Sequence, residues 1–289
     1  MGTDELQTFV DGKPFPVDCD PLKVRSGKAI QTYPDDIFIP TYPKCGNTWV
    51  RHIICLLTLE DYNPRAGKEL SVYTRTIEDV GKEVIDQMTR PRIFKSHYFY
   101  DDHPKHPEAK YVLVVRNPKD VLVSAYHMSK NLKEPIFKDL NFNAFFELFM
   151  AGKYDFGCYF QYHKEWFAHM KNHNLLLLKY EDIIKDHKGE VAKIGEFLGS
   201  RAAEIVKNSE KLDEVVEAST FKSMKENQRR WVQDIFKDQN QFVRKGTTRD
   251  WKNHFSKEQS DRMDEKFKNE FRNTIAENWW NEEMKWEED

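Results

Sequence analysis

The chain has 289 residues and a formal net charge of −3, which excludes broad, sequence-independent binding of nucleic acid but not a local basic pocket. Such a length buries a core that needs no disulfide staples, and Cys19, Cys45, Cys55 and Cys158 fit neither a disulfide framework nor a CxxC zinc site. No run approaches the roughly 18 apolar residues of a membrane span, and the opening MGTDELQTFVDGK has neither a signal-peptide core nor, with Leu6 at position six, a myristoylation signal, so a reduced, cytoplasmic protein with no membrane partner is expected.

Four short apolar runs bounded by Pro, Lys, Asn or Asp read as buried strands of a parallel sheet: DIFIPTY, PRIFKSHY, KYVLVVRNP and NLLLLKYED. Helical patterns lie between them: NTWVRHIICLLTLE, KDVLVSAYHMSKNL, NAFFELFMAGK and KGEVAKIGEFLG, the last with Gly199 as its stop. A charged amphipathic helix, SDRMDEKFKNEFRNTIAENWW, follows with Met263, Phe267, Phe271 and Ile275 on one face. The polar stretch VQDIFKDQNQFVRKGTTRDWKNHF before it reads as a long functional loop. Alternation of strands and helices predicts one α/β domain spanning 1–289, with a central parallel sheet flanked by helices.

The segment TYPKCGNTW joins the first of these strands to the first helix. Unpaired N–H groups at a helix start carry partial positive charge and favour an anion. Gly46 lets the backbone come close, Lys44 adds a charge and Thr48 a hydroxyl. The lysine precedes the glycine by two instead of following it, so the triphosphate-binding pattern GxxxxGK[ST] is absent. Taken alone, the segment is also compatible with an ordinary strand-to-helix turn.

TYPKCGNTW resembles the phosphosulfate loop TYPKSGTTW of the cytosolic sulfotransferases. VVRNPKDVLVSAYH is similar to that family's ARNxKDVxVSxYH, and FVRKGTTRDWKNHF to its RKGxxGDWKxxF. FKSHY, KYEDI, FFELFMAGK and STFKSMKEN match further family segments, in family order from residue 38 to 255. The resemblance implies the family's α/β fold with a P-loop-like phosphosulfate loop. It also implies its activity, transfer of a sulfuryl group from 3′-phosphoadenosine 5′-phosphosulfate (PAPS) to the hydroxyl or amine of a small molecule.

Residue by residue, it implies a 5′ site on Lys44, Cys45, Gly46, Asn47 and Thr48 and a 3′-phosphate site of Arg116, Ser124, Arg244, Lys245 and Gly246. Arginine suits the latter because its planar fork donates two bonds to phosphate. Trp49 and Phe221 match the positions that sandwich adenine, and Tyr180 and Ser219 those near the base edge. His97 matches the general base and Lys44 and Lys95 the two catalytic lysines. Ser124 matches the serine that also contacts the resting cradle lysine. Pro43, Phe99, Met128, Phe137, Phe142, Tyr154 and Phe242 are candidate walls of an acceptor pocket suited to a small flat phenol. Asp101, Asp102 and Glu134 are candidates to pair with an amine such as a catecholamine. Steroids and aliphatic alcohols remain open as acceptors.

Four positions depart from the family pattern. Cys45 and Asn47 replace serine and threonine, and a thiol beside Lys44 at a helix start invites a lowered pKa and sensitivity to oxidation. Arg249 replaces a glycine. Lys257 stands where the family's dimer motif has valine, which favours a monomer over a weak homodimer. No metal is expected: His103, His106, His169 and His173 come without a ligand frame and read as surface histidines. The rival readings are a P-loop small-metabolite kinase, which lacks its Walker lysine here, and a degenerate nucleotide-binding scaffold, which would lack His97, Lys44 or Lys95.

Overall fold

Phe38 lies at the centre of the fold, stacked between Phe94 and Tyr111 with ring centroids 5.1 Å away on either side. The computed structural model of the chain describes residues 6–63, 69–132, 139–226, 228–231, 238 and 243–287. A hairpin of β1 (Gln7–Val10) and β2 (Lys13–Pro16) precedes α1 (Pro21–Lys28). β3 (Ile37–Pro40) leads through the Lys44 loop into α2 (Asn47–Thr58), followed by α3 (Leu70–Tyr73), β4 (Thr74–Thr76), α4 (Ile77–Ile85) and β5 (Ile93–Ser96). Next come β6 (Lys110–Val115), α5 (Pro118–Asn131), α6 (Phe142–Met150), α7 (Tyr159–Phe167), β7 (Leu175–Lys179) and α8 (Tyr180–Lys185). The chain continues through α9 (His187–Leu198), α10 (Ser200–Lys207), α11 (Ser209–Ala218), α12 (Phe221–Glu226) and α13 (Lys257–Phe271).

Five strands form one parallel sheet in the order β4-β5-β3-β6-β7. Side chains alternate between its faces. Phe38, Phe94, Tyr111, Leu113 and Val115 join the core under α5, α6, α7 and α13. Ile37, Ile39, Ile93, Val112, Val114 and Leu178 join the core under α2, α9, α10 and α11. Both faces are covered, which is why the strands read as continuous apolar runs. At the N-terminal ends of β3 and β5, Arg92 grips Asp36 with Nε–Oδ1 at 2.8 Å and Nη2–Oδ2 at 2.6 Å, both side chains almost wholly buried.

The four expected strands are β3, β5, β6 and β7, and the four expected helical stretches are α2, α5, α6 and α9. Gly199 ends α9 with φ +74°. The last helix is shorter than its apolar spacing suggested. It stops at Phe271; Met263, Phe267 and Phe271 are buried, but Ile275 falls beyond it and is 48% exposed. The chain turns out of the helix at Asn273, whose φ is +62°, so Ile275 leaves the buried face. Much of the expected long loop lies outside the described residues; the described part ends in a short 3-10 turn, Asp250–Asn253.

Candidate active site

Parallel strands send their following loops to one end of the sheet, and the residues singled out by sequence collect there. β3 runs into Lys44, β5 into His97, β6 into Arg116 and β7 into Tyr180. Gly46 opens α2 with φ +108°, and a Cβ there would come within 2.8 Å of the Tyr180 ring. The position therefore excludes side chains twice, by conformation and by space. α2 starts without a side-chain cap, which leaves its first N–H groups available to an anion.

Asn47 contributes only its backbone to this turn. Its amide is directed back at β3, where Nδ2 donates to Ile39 O and Thr41 Oγ1, both at 3.1 Å. Cys45 is fully buried, and burial pushes its thiol pKa up. The expectation of an activated, oxidation-sensitive thiol is therefore corrected: desolvation outweighs the neighbouring charges of Arg116 and Lys44. Lys44 lies along α5, with Nζ 3.4 Å from Met128 Sδ, one helical turn beyond the half-buried Ser124. Burial, then the charges of Arg116, Lys95 and Arg244, push the Lys44 ammonium down to about 7.

Arg116 ties two distant segments together. Its Nη1 donates to Lys44 O at 3.4 Å and its Nη2 to Thr247 O at 3.3 Å. The guanidinium lies 4.2 Å from the centre of the Tyr180 ring, and its buried Nε has no partner among the described residues. The turn that Thr247 belongs to carries Arg244 and Lys245, both paired with the buried carboxylate of Asp250 at 2.5 Å. That turn is pinned to the start of α5, because Asp120 accepts the backbone N–H groups of Arg249 (2.8 Å) and Trp251 (3.1 Å). Gly246 has φ +64° and packs directly on the Phe221 ring, where a Cβ would overlap it.

On the other side, Trp49 meets Tyr180 edge-on at 5.6 Å and donates Nε1–H to Ser219 O at 2.8 Å. Ser219 is fully buried and its hydroxyl donates back to Val215 O at 2.7 Å. Ser219 thus fixes Trp49 through its carbonyl, and its hydroxyl also lies 3.1 Å from His187 Nε2.

His97 is buried, with Nδ1 2.6 Å from Thr41 O. A carbonyl only accepts, so Nδ1 carries the proton and Nε2 is left as an acceptor. Burial and then Lys95 hold the imidazole pKa well below its ordinary value, so it is neutral near pH 7. Its backbone N–H donates to Glu78 Oε1 at 2.8 Å, and its ring stands 4.6 Å from Phe156. Lys95, on β5, is also shifted down by burial, opposed by Asp79 and Glu78. Burial and then Asp79 push the Glu78 carboxyl up to about 8. A neutral imidazole with a fixed tautomer, close to lysines, can take a proton from a hydroxyl or amine placed at Nε2.

The expected pocket walls are only partly gathered beside His97. Pro43 is buried in the loop, and Met128 is in contact with Lys44. Phe99 is buried against Tyr162, with the Lys13 ammonium 4.2 Å from its ring centre. Tyr154 is fully buried against Phe145. Phe142 packs on Tyr126, His254 and Phe255, next to the turn of Asp250. Phe137, Phe242 and Glu134 lie outside the described residues. Asp102 is paired with Lys28 of α1 at 3.1 Å. Phe156, which touches the His97 ring, carried no motif, and neither did Glu78, 19 residues from its partner.

Of the histidines expected at the surface, His103 is buried instead, edge-on to Phe38 at 5.1 Å and bonded through Nδ1 to Pro104 O at 2.8 Å. Among the described residues no group of three His, Cys, Asp or Glu side chains is placed to hold a metal, and no helix is long and apolar enough to cross a membrane.

A model of the sulfotransferase domain matches residues 34–278. The chain belongs to the sulfotransferase family. Human sulfotransferase 1C2 is 33% identical over 275 residues, covering 88% of this chain and 90% of that protein. Rabbit amine sulfotransferase is also 33% identical, over 82% of this chain and 81% of its own length. The 3-beta-hydroxysteroid sulfotransferase of guinea pig is 33% identical as well, over 80% and 81%. Among solved structures, mouse sulfotransferase SULT7A1 complexed with PAP superposes with a TM-score of 0.78 at 27% identity, covering 93% of this sulfotransferase and 95% of the mouse chain. Retinol dehydratase shares the fold, with a TM-score of 0.79 at 22% identity over 93% of this chain and 90% of its own.

Proposed function

We propose that this sulfotransferase uses PAPS as sulfuryl donor and a small phenol or aryl amine as acceptor, with His97 as general base. Arg116 carries the reading: it bonds at once to the Lys44 loop and to the segment of Arg244 and Lys245, so one nucleotide with anionic groups at both ends can span them. The orphaned, buried Nε of Arg116 fits such an anion.

In this reading the 5′ end lies on the N–H groups at Gly46–Thr48 with Lys44, and the 3′-phosphate draws Arg244 and Lys245 away from Asp250. Adenine lies between Trp49 and Phe221. The acceptor oxygen or nitrogen bonds to sulfur as its proton passes to His97 Nε2, and the bond from sulfur to the bridging oxygen breaks, leaving 3′,5′-adenosine bisphosphate (PAP). Lys44 neutralises the charge left on that oxygen and Lys95 the sulfuryl oxygens. Burial first, then Lys95 and, more weakly, Arg51 and Lys44, lower the basicity of His97 and keep it an unprotonated, weak base. The aromatic ring of Phe156 beside His97 favours a flat acceptor. The named activity of the guinea-pig relative, at the same identity as the amine sulfotransferase, keeps a steroid alcohol as the second reading.

The test is a panel of phenols, catecholamines, hydroxysteroids and aliphatic alcohols assayed with PAPS on wild type and His97→Ala. The expected result is turnover of a phenol or aryl amine, a drop of about 10²–10⁴-fold in kcat for the variant, and retained PAP binding. Wild-type turnover by His97→Ala would remove the base assignment. Turnover restricted to steroids would favour the second reading. We also place the enzyme in the cytoplasm as a monomer; fractionation and light scattering test both.

A further inference from the structure

Arg249 adopts a left-handed backbone, φ +65° and ψ +16°, one residue before Asp250. Residues with a Cβ disfavour that conformation. What holds it is visible on both sides. Asp120 fixes the Arg249 N–H, and the Arg249 side chain reaches Glu287 through Nη2 at 2.8 Å and Lys285 O at 3.3 Å. The same Glu287 carboxylate receives Lys252 Nζ at 3.1 Å. Trp251 donates Nε1–H to Glu283 O at 2.8 Å and its ring meets Trp286 at 6.0 Å. Buried Lys119, on α5, donates to Met284 O at 2.6 Å. Residues 283–287 thus lie as a strap across Arg249, Trp251 and Lys252, the residues flanking Asp250.

The structure assigns this strap, and Glu287 in particular, a positioning role for the 3′-phosphate pocket, an inference that rests on the function proposed above. Asp250 holds Arg244 and Lys245. For a phosphate to take those cations, the carboxylate must stay in place as they swing away. Glu287, by anchoring Arg249 and Lys252, keeps the turn from following. A glycine at 249 would need no such anchor, because it takes the left-handed conformation freely. The strap thus does for Arg249 what a glycine would do by itself.

The experiment is calorimetric titration of the full chain with PAP and with 5′-AMP, which lacks the 3′-phosphate, in wild type, Glu287→Gln, Arg249→Gly and the double variant. Glu287→Gln is expected to weaken PAP about three- to tenfold, the range set by an exposed ion pair acting against backbone strain, and to leave 5′-AMP within about twofold. In the Arg249→Gly background, where only the Lys252 contact is left for Glu287 to hold, Glu287→Gln should weaken PAP by less than about twofold. Unchanged PAP affinity in Glu287→Gln, an equal loss for 5′-AMP, or the same loss with glycine at 249 would each overturn the assignment. Arg244→Ala serves as the separate control: if it binds PAP as wild type does, the pocket reading fails, not the strap.

Discussion

Lys44 allows a quantitative prediction. In the nucleotide-free protein its ammonium is held down to about 7 by burial and by the charges of Arg116, Lys95 and Arg244. An anion on the loop supplies opposite charge and returns the group towards its ordinary value of about 10.4. Binding therefore raises the pKa, so the complex takes up a proton. The affinity gained is complete below pH 7 and lost as pH climbs from about 7 to about 10. At pH 8 a group with a pKa of about 7 is roughly one-tenth protonated, giving an uptake of roughly 0.9 proton per PAP; a free value one unit higher still gives roughly 0.5. Between pH 7.5 and 9.5 the same arithmetic weakens binding roughly 70-fold. The ligand phosphates, with a second pKa near about 6, are ionised throughout and add nothing. The assay is titration calorimetry with PAP at pH 8 in buffers of different ionisation enthalpy, for wild type and Lys44→Met. Equal uptake in both proteins, or none in wild type, refutes the placement of Lys44 against the bound anion.

Gly46→Ala should weaken PAP at least about tenfold and lower Tm by a few degrees, since a left-handed backbone with a Cβ costs about 1–3 kcal/mol and the Cβ pushes on Tyr180; binding within twofold of wild type would contradict this. Iodoacetamide should label the half-buried Cys158 well before Cys45 in the native protein, and peptide mass mapping that finds Cys45 labelled as fast would restore the activated-thiol reading. Arg92→Leu leaves the Asp36 carboxylate buried and unpaired, so urea unfolding should show a loss of about 3–5 kcal/mol; a loss under about 1 kcal/mol would show that the pair contributes little.

The sheet was legible because its strands are buried on both faces, which writes β3, β5, β6 and β7 as unbroken apolar runs. The edge strand β4, TRT, and the hairpin of β1 and β2 are short and mixed in polarity, and no periodicity marks them. In the site, the loop of Lys44 was legible because a helix start needs small residues and a glycine, and the distant basic residues because several motifs fall in order. The directions of side chains were not. Asn47 and Ser219 stand at motif positions, yet the Asn47 amide and the Ser219 hydroxyl donate to Ile39 O and Val215 O. The Cys45 neighbourhood looked electropositive in sequence, but only the fold shows that burial dominates. Glu78 and Phe156 meet His97 through tertiary packing, to which local sequence is blind.

The central claim is that the Lys44 loop and the segment of Arg244 and Lys245 hold opposite ends of one nucleotide beside His97. A crystal structure of the chain with PAP bound tests it most directly. The expected density places the 5′-phosphate on the N–H groups of Gly46–Thr48, the 3′-phosphate within hydrogen-bond distance of Arg116 and Arg244 with Arg244 released from Asp250, and adenine between Trp49 and Phe221. A nucleotide bound elsewhere, or one whose 3′-phosphate points to solvent while Arg244 stays on Asp250, would contradict it.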